Sequence, residues 1–419
     1  MYTVSNLKSG LPVLTAGSDA TASVTVLVFA GAGSRYETQK DRGISHFLEH
    51  MFFKGGKKFR NTKEVSAAID GVGGDFNAFT GKEYAGYYVK VAAEHVRLAC
   101  DVLGDMLLNA SFPPEEIEKE RGVIKEEERM YQDTPMYRSG WDFEELLFGD
   151  HPLGWDTIGT MEVINSVQQK DFRNHRDVLY TPKNLVAAFA GKITAKDAES
   201  LSKEYFGELS GESKPSFHPF TNYNTKKIFL RTKATEQAHL VFGMPGVSAL
   251  DPDHFTQKLL AVILGGNMSS RMFLNIREAK GLCYYISTDI DSYLDAGSLS
   301  TRAGVDQARL EEAIVAIRKE YETCAKDGVT TEELARAKSF MKGKIALSLE
   351  DSEELAHFLG KQQLLYPTVR DVADYFAEIE KVTLPAVNAL AKRLLTPEQF
   401  RLSVIGKESD EKKLQALLE

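Results

Sequence analysis

His46-Phe47-Leu48-Glu49-His50 carries two imidazoles four positions apart, with a carboxylate directly before the second. On a helix, residues four apart share a face, so both histidines can bind one metal ion. Glu49 follows His46 by three positions, close enough to hold a water on that ion and take its proton. The order of the letters reverses the commoner His-Glu-x-x-His metal motif.

Two histidines leave a metal site incomplete. A catalytic zinc ion usually takes three protein ligands and keeps one position for water, so another carboxylate or imidazole must arrive from elsewhere in the fold. The stretch from Glu115 to Arg129 is rich in glutamate and is the obvious source. It follows Phe112-Pro113-Pro114, a helix start with proline in the first turn and acids near the positive end of the dipole.

With these residues the chain resembles the pitrilysin (insulinase) family of zinc metallopeptidases, the inverzincins. The resemblance extends to Gly33-Ser34-Arg35-Tyr36-Glu37, Met51-Phe52-Phe53-Lys54-Gly55, Asn77-Ala78-Phe79-Thr80 and Asp133-Thr134-Pro135. It implies a zinc ion, one per chain, held by His46, His50 and Glu127, the last of these separated from His50 by 76 intervening residues. Glu120, two helical turns before Glu127, would orient a ligand from behind. Glu126 and Glu128 read as a solvated face. Glu49 would be the general base. The strand Asn77, Ala78, Phe79 and Thr80 would receive an unfolded peptide by strand addition.

The resemblance also implies a role for Arg277 and Tyr284, seven positions apart, in contacting substrate carbonyls and the developing oxyanion. Short family members similar to mitochondrial processing peptidase pair two chains. The expectation is therefore a homodimer with a composite active site, in which these two residues act on the partner. The implied activity is zinc-dependent endoproteolysis of unfolded peptides in an enclosed chamber. The alternative is a silent structural or partner subunit of the same fold, against which the intact His46, Glu49, His50 and Glu127 argue.

The elements that must position these residues follow from hydrophobic patterning. β-type runs at 21–30 and 85–92 alternate with helical patterns at 42–53, 62–72, 95–108 and 113–131, an α+β mixture in which helices cover a sheet. The pattern then recurs. Tyr180-Thr181-Pro182-Lys183-Asn184 leads into an apolar run ending at Lys192, and Leu395-Thr396-Pro397-Glu398-Gln399 leads into one ending at Lys407, each 215 residues later. Ser23 to Phe29 has a similar counterpart at Ala238 to Gly243. Two homologous domains are expected: 1–212 with the metal motif, a linker at 213–224 rich in Ser and Pro, and 225–419 with no second motif.

Composition sets the remaining bounds. At 419 residues, with 43 % hydrophobic content and 26 % charge, the chain reads as soluble and globular. The net charge of −9 argues against nucleic acid and would steer basic peptides weakly. No apolar run is long enough to span a membrane, and no signal peptide is visible, so a cytoplasmic location is expected. Cys100, Cys283 and Cys324 suggest reduced packing residues rather than disulfides or zinc ligands.

Overall fold

The computed structural model describes residues 2–212, 214–407 and 410–418. Ser213, the first residue of the expected linker, lies outside them. Six strands form the first sheet: β1 (Thr3–Asn6), β2 (Pro12–Gly17), β3 (Ser23–Ala30), β4 (Asp75–Thr80), β5 (Ala85–Ala92) and β6 (Leu185–Gly191). Their order is β1-β2-β6-β3-β5-β4, with β2 and β6 parallel and the other neighbours antiparallel. β3 is central and nearly all apolar because helices cover both of its faces. Val96–Asn109 packs on one side, and Ser352–Leu365 lays Ala356 and Leu359 against Leu27, Phe29 and Ala188 on the other.

The second sheet repeats that plan. β7 (Ile228–Thr232), β8 (Gln237–Pro245), β9 (Cys283–Ser292), β10 (Gly297–Asp306) and β11 (Arg401–Gly406) lie in the order β7-β11-β8-β10-β9. β11 is parallel to β7 and antiparallel to β8, as β6 is to β2 and β3. The segments spaced by 215 residues therefore occupy equivalent strands, and β3 and β8 occupy another such pair. Leu259, Leu264, Ile314, Ile317 and Val387 from three helices fill one face. Phe143, Leu147 and Phe148 fill the other against Val241.

The covering helices do not respect sequence order. One compact unit contains Met1–Arg129, Asp156–His218 and Ala346–Val372; the other contains Met130–Trp155, Pro219–Ile345 and Ala373–Glu419. The units thus differ from the contiguous segments 1–212 and 225–419. Helix Pro135–Phe148, from the first half of the sequence, supplies the apolar layer of the second sheet. Helix Ser352–Leu365 does the same for the first sheet, tied by Thr25 Oγ1 to Ser352 Oγ (2.8 Å) and by Lys90 to Asp351 (2.6 Å). Gly360 lets this helix sit close, since a Cβ there would meet the Phe29 ring at 2.4 Å. All three cysteines are buried and free, as expected.

Candidate metal centre

The motif sits on helix Ile44–Phe52, whose Phe47, Leu48, Met51 and Phe52 are buried. Its first backbone N–H groups lack intrahelical partners, and Glu37 supplies them: its carboxylate accepts from Gly43 N (2.7 Å) and Ser45 N (2.9 Å). Burial pushes the Glu37 carboxyl up to about 7, against the pull of those hydrogen bonds. Gly43 has φ 97°, a conformation natural to glycine.

The histidine helix presents His46 and His50 side by side, ring centroids 4.7 Å apart. Glu127 arrives from helix Pro114–Asp133, and its Oε2 lies 3.6 Å from Nε2 of both histidines. These ligand atoms all fall within 4.8 Å of one another, the one such grouping of His, Cys, Asp and Glu among the described residues. A tetrahedral zinc ion with bonds of about 2.1 Å has ligand edges of about 3.4 Å, so two imidazoles and a carboxylate at this spacing fit it. Burial opposes charge on His46, but Glu127, Glu49 and Glu37 outweigh it and raise its pKa. Burial likewise opposes charge on Glu127, and the hydrogen bond and charge of His46 lower its pKa instead.

Glu120 stands behind the group, buried, with Oε1 2.8 Å from His50 Nδ1 and Oε2 2.5 Å from Lys54 Nζ. A carboxylate accepting from Nδ1–H leaves His50 Nε2 free to ligate. His46 differs: its Nδ1 is buried without a hydrogen-bond partner among the described residues. Lys54 was not singled out from sequence, although its position four after His50 was the available signal. Glu126 is exposed and pairs with Arg129, while Glu128 is half-buried.

The expected substrate strand is β4, at the end of its sheet and paired with β5. The side chains of Asn77, Phe79 and Thr80 do different things. Thr80 Oγ1 donates to Glu49 Oε2. Phe79 turns inward against Phe29, Tyr84 and His357, its ring covering Gly86. Asn77 is exposed, and its side-chain oxygen accepts from Ala78 N (2.9 Å).

Arg277 and Tyr284 belong to the second unit. Arg277 lies on a short π-helix, Phe273–Glu278, and stacks on Phe273 at 4.5 Å. Its Nε donates to the Tyr284 carbonyl (2.9 Å), and Tyr284, near the start of β9, exposes 77 % of its surface. The turn between them passes through Gly281 at φ 57°, which brings residues seven apart into contact.

Two sheets of one plan, each with helical layers, and a His-His-Glu group carried by two helices of the first unit define a duplicated α+β fold with one candidate metal site among the described residues. The chain matches the family described as insulinase (peptidase family M16) over residues 12–148 and that described as peptidase M16 inactive domain over 166–341; it belongs to the M16 family. The uncharacterized zinc protease YmxG of Bacillus subtilis is 37 % identical over 97 % of both chains. An uncharacterized zinc protease of Mycobacterium leprae is 34 % identical over 97 % of this chain and 92 % of its own. A protease from Helicobacter pylori shares the fold with a TM-score of 0.89 at 21 % identity, covering 97 % of this chain and 99 % of that one. None of the described helices is long and apolar enough to cross a membrane.

Proposed function

We propose that this chain is a zinc metalloendopeptidase acting on unfolded peptides, and the carrying observation is the convergence of His46, His50 and Glu127 beside Glu49. Zinc held by those three residues would polarise the scissile carbonyl and acidify the attacking water. Glu49 accepts the proton of that water during attack and delivers it to the leaving amine nitrogen. Thr80 holds the Glu49 carboxylate while it does so. The outer edge of β4 at Asn77 and Ala78 aligns the peptide through backbone hydrogen bonds, which accept many side chains.

Tyr284 and Arg277 supply an O–H and N–H donors for the developing oxyanion and for substrate carbonyls. The active form is a homodimer in which they serve the partner's metal group, and its place is the cytoplasm. A silent subunit of the same fold would have no use for a carboxylate at position 49.

The decisive experiment incubates metal-quantified protein with a mixed library of unfolded peptides, with and without a chelator, and maps cleavage by mass spectrometry. Cleavage lost with the chelator and restored by zinc supports the proposal. Bound zinc without cleavage overturns it.

A further inference from the structure

The metal group takes its ligands from two separate helices, so its geometry depends on what ties those helices together. Lys54 lies two residues beyond the end of the histidine helix. Its Nζ is 2.5 Å from Glu120 Oε2 on the acidic helix, while Glu120 Oε1 is 2.8 Å from His50 Nδ1. Lys54 is itself only 17 % exposed at its side chain.

We propose that Lys54 is a positioning residue for the metal group, holding Glu120 in the orientation that turns His50 Nε2 toward Glu127. This rests on the metalloenzyme reading above. The terminal torsion of a glutamate is broad, so a carboxylate held through one oxygen can swing. Engaged through both oxygens by groups from the histidine helix and the turn after it, Glu120 has its plane fixed. His46 has no equivalent support, because its Nδ1 is unpaired among the described residues. The Lys54–Glu120–His50 series therefore orients one of the two imidazoles.

Two effects of Lys54 oppose each other. Its positive charge disfavours a nearby dication, whereas its hydrogen bond orients the group that orients a ligand. The ammonium and carboxylate neutralise one another as a pair, which weakens the first effect. Removing the ammonium leaves a buried carboxylate oxygen unsatisfied and free to turn away from His50, which strengthens the second. Orientation wins, and loss of Lys54 weakens metal binding.

The test measures zinc affinity of the full-length apo chain by competition with a chromogenic chelator. Lys54→Met is expected to weaken zinc about tenfold, in the range typical of lost outer-shell partners, and Lys54→Arg to recover part of that. In a Glu120→Gln background, Lys54→Met is expected to cause no further weakening, because the carboxylate it would orient is gone. Thermal unfolding of each apo protein separates metal binding from folding. Lys54→Met binding zinc as tightly as wild type, or more tightly, overturns the proposal, as does equal weakening in the Glu120→Gln background. Wild-type protein that binds no zinc overturns the metalloenzyme reading itself, so the two failures are distinguishable.

Discussion

Thr80, on the edge strand β4, donates its hydroxyl hydrogen to the carboxylate of Glu49 on the histidine helix. One strand thus presents its outer backbone edge and, from its last residue, steadies the group assigned as general base. Thr80→Val keeps the shape and removes the donor. It is expected to lower kcat about tenfold or more with a smaller change in KM, and Thr80→Ser to restore most of it. A Thr80→Val enzyme with unchanged kcat and raised KM would instead place Thr80 in peptide binding.

The candidate metal helix was legible because its chemistry is local: five consecutive residues carry both histidines and the carboxylate proposed as base. Glu127 was reachable only through the family resemblance, since the acidic stretch offers several glutamates and spacing does not choose among them. The inward turn of Phe79 was hidden, because strand alternation does not reveal that helix Ser352–Leu365 brings His357 to meet its ring. The duplication was visible in two short segments. The exchange of helices was not, because apolar faces on Pro135–Phe148 and Ser352–Leu365 indicate burial without indicating which sheet buries them.

Glu49→Gln keeps nearly the same volume and removes the carboxylate proposed as base. Hydrolysis is expected to fall by about 10²–10⁴-fold while zinc content stays near one ion per chain. Mixing with Tyr284→Phe chains then tests the homodimer. Two proteins, each deficient alone, should regain part of the wild-type rate after co-assembly, because a mixed dimer holds one site with both groups intact. Confirmed mixed dimers without recovery would place both groups' action within one chain.

Ser45 Oγ lies 2.9 Å from His175 Nε2, one residue before His46, the first of the proposed metal ligands. Burial pushes His175 down from 6.5 to about 4, with the charge of Asp41 working the other way. The unfolded chain therefore takes up a proton below about pH 6.5 that the native state refuses until about pH 4. Stability from neutral His175 is fully present above pH 6.5 and drains as pH falls, by about 2 kcal/mol at pH 5. In urea unfolding at fixed pH, His175→Phe should lose less stability than wild type between pH 7 and pH 5. Parallel losses would show that His175 does not carry this dependence.

Separate expression of 1–212 and 225–419 is expected to yield two poorly folded fragments. The first would carry helix Pro135–Phe148 without the sheet that buries it and would lack Ser352–Leu365 over β3 and β6. Co-expression should restore a soluble pair, since every helix then finds its sheet. Hydrogen exchange gives the measurement: slow exchange in β3 of the isolated first fragment would mean that its core closes without the exchanged helix.

Asp142, fully buried on helix Pro135–Phe148, is where that helix is tied electrostatically to the second sheet. It accepts from Arg138 Nε (2.9 Å) and from two N–H groups of Arg231 on β7 (2.7 Å each). Replacing all three by well-packed apolar residues need not destabilise, because desolvation offsets much of the attraction. Removing the carboxylate alone is different, since it leaves two arginines without their shared counter-charge. Asp142→Asn is expected to cost about 3–5 kcal/mol in denaturant unfolding, while Glu204→Gln, which breaks the exposed pair with Arg97, should leave the unfolding midpoint nearly unchanged. Comparable small effects from both would mean that water reaches Asp142 and that apolar contacts of Phe143 and Leu147 alone dock the helix.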